Sequence, residues 1–433
     1  MVVLIKTLQV LFALSVLIVV HEFGHFTFAK IFGIRVEKFY LFFDAYGKSL
    51  LKFRIGETEY GIGWLPIGGY CKICGMVDES MDLEGLKSDP QPWEFRTKPA
   101  WQRLLVLFGG VLFNFIFALL IFSGMLAVNG QSYLPNEGNA IYVNELSYDM
   151  GFRTGDRILS FDDYVPESFW SLQADLGRRM ARKATVLRGT DTLDIYIDRA
   201  HIGDVMNTPG LFDLALPFII ESFTDNSPNA SADLRKGDKV VAVDGTPFEY
   251  VQESRELLAS AAGREVLASV IRGSDTLSVP LQVDSVGLIG VSILPPEYDI
   301  RTYSLLESFP AGCVYTWDMI RDYVRDLRLV FTPSTQAYKS VGSFIAVGQI
   351  FPSAWDWAQF LYILGVLSIM LGVMNLLPIP ALDGGHILFT LFEMVTGHKP
   401  SDKFMIAAQM VGMILIFALM FLAFGNDIGR LIK

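Results

Sequence analysis

The stretch Thr7-Leu-Gln-Val-Leu-Phe-Ala-Leu-Ser-Val-Leu-Ile-Val-Val20 carries no charge. It runs straight into His21-Glu22-Phe23-Gly24-His25 and stays apolar through Phe26, Phe28 and Ala29. Read together, these residues predict a membrane-spanning helix, and an acidic residue at the middle of such a helix costs about 2.5 to 3.5 kcal/mol. Ionisable groups retained at that depth are functional candidates. On a helix the two histidines stand one turn apart on one face, at the spacing that lets two imidazole nitrogens share a zinc ion. A dication also compensates Glu22, which would otherwise be stranded in hydrocarbon.

The rest of the chain supports a membrane reading. Of 433 residues, 52% are hydrophobic and 19% charged, against about 25% charged in an ordinary soluble domain. The 33 Phe and 16 Tyr exclude disorder. A net charge of -11, from 35 basic and 46 acidic residues, disfavours nucleic-acid binding. Three cysteines cannot form a disulfide framework. Leu104–Asn129, Trp357–Leu382 and Phe404–Asn426 are further uncharged runs, each longer than the roughly 20 residues a helix needs to cross a bilayer. Four membrane helices are expected. A cleaved signal peptide is the alternative for the first, but no small-residue cleavage site follows its apolar run. The first loop carries 11 Lys and Arg between Lys30 and Arg103, which places it in the cytoplasm by the positive-inside rule. The 129–356 segment, with 31 acidic and 19 basic residues, is then extracytoplasmic.

That segment contains a repeat. Ala184-Thr-Val-Leu-Arg-Gly-Thr-Asp-Thr-Leu193 matches Ala268-Ser-Val-Ile-Arg-Gly-Ser-Asp-Thr-Leu277, and Gly155-Asp-Arg-Ile158 matches Gly237-Asp-Lys-Val240. Alternating apolar strands after a Gly-Asp turn, a helical stretch (168–182; 250–262) and a hairpin at Arg-Gly describe a small β-rich fold with one helix. The pattern resembles tandem PDZ domains, with the fuller signature, Asn226-Ser-Pro-Asn-Ala, in the second copy. Such domains take extended peptides by adding a strand to a sheet edge.

A second polar cluster falls at the end of the third apolar run: Asn375-Leu-Leu-Pro-Ile-Pro-Ala-Leu-Asp383-Gly-Gly-His386. Pro378 and Pro380 must break a helix, and freed backbone groups at membrane depth are tolerated only against protein or a wet cavity. Two histidines leave a catalytic zinc one protein ligand short. Asp383 is the best third ligand, and His386 competes for the role.

His-Glu-x-x-His in the first helix and Asn-x-x-Pro-x-Pro-x-x-Asp-Gly late in the chain, with the repeats between them, resemble the site-2 protease family along essentially the whole chain. The resemblance implies zinc held by His21, His25 and Asp383, with Glu22 as general base. Tyr60-Gly-Ile-Gly-Trp-Leu-Pro-Ile-Gly-Gly-Tyr70 lies within Phe53–Ile73, which reads as two short strands. It resembles the family's re-entrant β-hairpin, which implies that Gly61, Gly63, Gly68 and Gly69 hold substrate as an added strand. Gly109-Gly-Val-Leu-Phe-Asn114 resembles the family's Gly-Pro-x-x-Asn-Phe element, with Val111 in place of Pro. Asn114 and Asn375 become candidates to hydrogen-bond substrate backbone, the plainer reading being interhelical contacts. Lys339–Ala346 stands where the family often carries Gly-Pro-Ile, and Ser343-Phe344 occurs instead.

The expected architecture is a polytopic α-helical membrane protein with four transmembrane helices, a re-entrant β-hairpin and two extracytoplasmic PDZ-like domains. Its divisions fall at 1–30, 31–102, 103–129, 130–203, 204–293, 294–356, 357–397 and 403–426. The expected function is intramembrane zinc proteolysis of single-span membrane proteins in a bacterial inner membrane. The resemblance implies that anti-sigma factor-like proteins or signal-peptide remnants, trimmed first by another protease, would be substrates, and that the PDZ pair would act as a size filter. A non-catalytic PDZ adaptor that binds envelope proteins is the alternative, against which the retained Glu22 argues. A zinc transporter would need ligands on several spans. Cys71 and Cys74 read as ordinary reduced thiols, and Cys313 as buried and unpaired. The 304–330 stretch reads as an amphipathic helix, with Trp317, Ile320, Tyr323, Val324 and Leu327 on one side, lying on a membrane surface or against a PDZ domain.

Overall fold

The computed structural model describes residues 1–76, 89–208 and 210–432, so 77–88 of the expected 31–102 segment lie outside the described residues. The chain forms two compact units, one of 1–130, 302–331 and 338–433 and the other of 131–301 with 332–337. Helix α1 (Val2–Ile31) leads into strands β1 (Val36–Phe43), β2 (Ser49–Ile55), β3 (Thr58–Gly63) and β4 (Leu65–Ile73), followed by α2 (Ala100–Asn129). The four strands form one mixed sheet in the order β2-β3-β1-β4, where the sequence suggested a simple hairpin over 53–73. Only β2 and β3 pair as that hairpin. The aromatic strand β1 inserts between β3, its parallel neighbour, and β4, its antiparallel one. Tyr40 on β1 fixes the arrangement, donating to Glu59 at 2.6 Å and crossing Gly61 so closely that an added Cβ would lie 2.4 Å from its ring.

In the second unit, β5 (Gln131–Tyr133), β6 (Ile141–Val143), α3 (Glu145–Asp149), β7 (Arg157–Phe161) and α4 (Leu172–Arg179) come first. They are followed by β8 (Lys183–Arg188), β9 (Asp191–Tyr196), α5 (His201–Asn207) and β10 (Phe212–Leu214). Leu134, Phe152, Phe161, Leu176, Val205 and Leu214 share one core. Phe218, Val240, Leu258, Val270 and Leu281 share a second. That core is built by β11 (Ile220–Phe223), β12 (Lys239–Val243), β13 (Thr246–Pro247), α6 (Val251–Ser260), β14 (Glu265–Arg272), β15 (Asp275–Gln282) and β16 (Val291–Ile293). Strand β17 (Asp299–Arg301) returns to pair with β5. The cores divide between Leu214 and Phe218, beyond the boundary expected at 203/204, because α5 and β10 close the first core.

The repeat has a physical basis. Asp156, in the first Gly-Asp turn, is fully buried and accepts from Arg188 Nε and Nη2 at 2.7 and 2.8 Å, and Asp238 accepts from Arg272 at 2.8 and 2.7 Å. Each turn is thus clamped to its own hairpin by a bidentate pair. Arg272 and the backbone N–H of Arg235 hold the Asp238 carboxyl below the usual carboxylate range. Replacing Arg188 by Ala strands the Asp156 carboxylate. Because Arg188 itself is more than a third exposed, the loss is placed at about 2 kcal/mol, below the usual range for a buried pair. Amide hydrogen exchange of the full chain should show β7 and β8 opening roughly 30-fold more often, with β12 and β14 unchanged.

The chain continues through α7 (Leu305–Val330), α8 (Phe344–Ile350), α9 (Trp357–Leu376), α10 (Asp383–Thr396) and α11 (Asp402–Ile432). Helices spanning Val2–Ile31, Ala100–Asn129, Trp357–Leu376 and Lys403–Gly429 are long and apolar enough to cross a membrane. Ser304 caps α7 in a capping box with Glu307. Helix α7 packs against α2 and α9 within the first unit. Tyr315, Met319, Ile320, Tyr323 and Leu327 lie on the cluster of Ala118, Phe122, Ile369 and Val373. Its inner face is therefore rotated from the expected one, leaving Trp317 and Val324 exposed. Cys313 is exposed too, correcting the expectation of burial, because its neighbour Gly312 meets Ser123 of α2. In the 339–346 segment, Ser343 caps α8 and donates through its backbone N–H at 2.8 Å to Asp427 of α11.

Candidate metal centre

Helix α1 carries His21 and His25 on its buried face, and glycines bring α2 against that face. An added Cβ at Gly24 would lie 2.2 Å from the Gly109 carbonyl, and one at Gly110 only 2.5 Å from His25 Nε2. Such contact between small residues lets two apolar helices approach closely. His25 Nδ1 lies 2.9 Å from the Val106 carbonyl of α2. A carbonyl only accepts, so Nδ1 carries the proton and Nε2 presents a lone pair.

His21 is oriented in the same way by Asn114, 3.1 Å from its Nδ1. Amide orientation is assigned from the hydrogen-bond network. With Nδ2 toward the ring, Asn114 Oδ1 is buried without a partner. The opposite orientation lets Oδ1 accept from His21 Nδ1–H and frees Nε2. Asn114 is fully buried and faces His21 across the contact of α1 with α2. Asn375, at the end of α9, remains partly exposed, with Nδ2 3.3 Å from His21 Nε2.

Asp383 begins α10 after the break at 377–382. The chain folds tightly over itself there. An added Cβ at Gly384 would lie 2.2 Å from the Leu377 carbonyl, and one at Gly385 2.4 Å from Pro380 Cα. The Asp-Gly-Gly run is thus a packing requirement as well as a sequence signature.

Asp383 Oδ2 stands 3.2 Å from His21 Nε2 and 3.4 Å from His25 Nε2, and the two Nε2 atoms are 3.2 Å apart. A tetrahedral ion with bonds of about 2.05 Å has ligand–ligand edges of about 3.3 Å. Two imidazole lone pairs and a carboxylate oxygen facing one point, with Asp383 Oδ2 buried and lacking a hydrogen-bond partner, make sense around a cation. Among the described residues, His21, His25 and Asp383 form the metal-ligand grouping. His386, the competing candidate, lies on the wall of the adjoining cavity, and the grouping contains Asp383 in its place.

Glu22, His21, His25, Gly69, Tyr70 and Asp383 are among the residues lining that cavity. Cys71 of β4 lines the same cavity as Glu22. Strand β4 is an edge of its sheet, and Gly69 lets it lie against Ile18 of α1. Gly68 and Gly69 are on this edge. Gly61 and Gly63 are on β3, between β1 and β2, where Gly61 is paired with Tyr40 and Lys52 and Gly63 with Ser49. Cys71 and Cys74 are not joined in a disulfide, and Cys74 Sγ donates to Glu37 at 3.3 Å. Sequence reading missed Gln409, a buried amide of α11 on the cavity wall. Its signal was a polar side chain inside an otherwise apolar run.

The chain is similar over nearly its full length to several bacterial proteins. The regulator of sigma-E protease RseP of Escherichia coli (strain K12) is 28% identical over 447 residues, covering 97% of each chain. A protein of Xylella fastidiosa (strain 9a5c) named "Putative zinc metalloprotease" is 29% identical over 444 residues, covering 96% of each. The regulator of sigma E protease of Salmonella typhi is 28% identical over 97% of each. The family model for peptidase family M50 matches residues 9–419. With a ligand set of two histidines and an aspartate beside a glutamate, and a family match spanning both motifs, the chain belongs to peptidase family M50.

Proposed function

We propose that this peptidase is an intramembrane zinc endopeptidase that hydrolyses a peptide bond in or near the transmembrane segment of single-span membrane proteins. The observation that carries the reading is the convergence of two Nε2 atoms and a carboxylate oxygen, with Glu22 on the same cavity, at a position within apolar helices. His21, His25 and Asp383 would hold the zinc, which would supply a Lewis acid to acidify water and polarise a carbonyl oxygen. Glu22 takes the proton of the attacking water and passes it to the departing amine.

A transmembrane substrate has every backbone group bonded within its own helix, so the scissile carbonyl must first be unwound. The edge of β4 at Gly68 and Gly69 offers main-chain partners to an extended segment, and Asn375 adds a donor beside the ligands. The two β-rich lobes act as PDZ-like, extracytoplasmic filters that admit stubs already trimmed outside. The sheet of β1 to β4 enters the membrane from the cytoplasmic side of a bacterial inner membrane. The name of one relative, regulator of sigma-E protease, favours an anti-sigma factor-like substrate, and signal-peptide remnants have the same single-span chemistry.

The test is cleavage of a tagged single-span protein, truncated outside the bilayer, by the purified chain in liposomes. Product should form with zinc-loaded protein, vanish on chelation and return on adding zinc. Intact substrate across several single-span proteins, with zinc bound and protein folded, would overturn the proposal.

A further inference from the structure

We propose that Arg103 and Glu393 are a positioning pair that fixes the roll of α10 and so places Asp383; this rests on the zinc-peptidase reading of the site. Arg103 Nη2 meets Glu393 Oε1 at 2.5 Å, with side chains 9% and 19% exposed, joining α2 to α10 across 290 residues of sequence. Arg103 is itself held, its Nε donating to the Lys98 carbonyl at 3.1 Å and its guanidinium lying 6.0 Å from the Phe95 ring centre.

Phe389 meets Phe404 of α11 with ring centres 5.8 Å apart, and among the described residues the rest of α10 is held along a single face. Its buried residues form one narrow stripe, Gly384, Gly385, Ile387 and Thr390, while Leu388, Leu391, Phe392, Met394 and Val395 face outward. Beside the ion pair the α2–α10 interface is not filled. Arg103, Leu107, His386, Phe389, Thr390 and Glu393 line a cavity of about 80 Å³. The break at 377–382 removes the helical continuity through which α9 could dictate the roll of α10. Asp383 and Glu393 are ten residues apart, about 15 Å along the axis, so the site holds one end and the ion pair the other.

The tolerance is small. A side-chain oxygen about 6 Å from the helix axis moves about 1 Å for a 10° roll, whereas metal coordination accepts deviations of about 0.2 Å. A pair that removes a few degrees of roll therefore acts on the ligand set without touching the ion.

The experiment uses the full chain in detergent, with zinc affinity measured against a chromophoric chelator and the visible spectrum of the cobalt(II)-substituted protein as a geometric readout. Arg103→Ala and Glu393→Gln should each weaken zinc binding at least tenfold, change the cobalt spectrum and lower kcat, with KM within about twofold of wild type. The reversed pair R103E/E393R should recover most of each loss. Folded single variants with wild-type zinc affinity and cobalt spectrum would overturn the inference, as would a reversed pair no better than either single change. A wild-type chain that binds no stoichiometric zinc would instead reject the peptidase reading, and this inference with it.

Discussion

Glu22→Gln will retain one zinc per chain and lose cleavage by roughly 10³-fold or more in kcat. The size of the effect follows from the role, since a positioned general base contributes about 10² to 10⁴, and Gln has the same shape but cannot take a proton. The ligand atoms, His21 Nε2, His25 Nε2 and Asp383 Oδ2, are untouched by the change. Zinc content by elemental analysis and kcat on the liposome substrate separate the two roles open to this carboxylate. A ligand lost would lower zinc content and activity together; a base lost lowers activity alone. Cleavage within tenfold of wild type would remove Glu22 from the chemistry.

What the sequence made legible was local. The one-turn spacing of His21 and His25, the break at Pro378 and Pro380, and the acid after it could be read because each is a pattern within a few residues. The Asp156 and Asp238 turns were legible because the repeat displays them twice. The mixed sheet was not, since its decisive feature is the parallel pairing of β1 with β3, and nothing in Val36-Glu-Lys-Phe-Tyr-Leu-Phe-Phe43 says which neighbour it takes. The inner face of α7 was misjudged for a related reason: Trp317 is among the most apolar side chains there, yet it points outward because Gly312 and Ser123 set the contact. Asn114 shows the limit most clearly. A buried amide on a membrane helix can hold a substrate, a neighbouring helix or a metal ligand, and nothing in the sequence around Asn114 says that its side chain lies 3.1 Å from His21 Nδ1.

Gly110→Ala will abolish the metal centre while leaving the helices inserted. A methyl group at this position would lie 2.5 Å from His25 Nε2, 2.6 Å from His21 Cε1 and 2.8 Å from His21 Nδ1, all well inside van der Waals contact. Neither ring can yield cheaply, because His25 is anchored to the Val106 carbonyl and His21 to Asn114. The helices cannot part either without undoing the Gly24–Gly109 crossing, where backbone already meets backbone. Rotating the imidazoles moves both Nε2 atoms off the tetrahedral edge by more than the roughly 0.2 Å that coordination tolerates. Zinc affinity should fall at least about 100-fold and cleavage below detection, with helical content by circular dichroism near wild type. By contrast, Gly124→Ala on the same helix, where a Cβ meets nothing within 4 Å, should leave zinc binding unchanged. If Gly110→Ala instead held zinc as tightly as wild type, the close packing of α2 on the two histidines would not be what shapes the site.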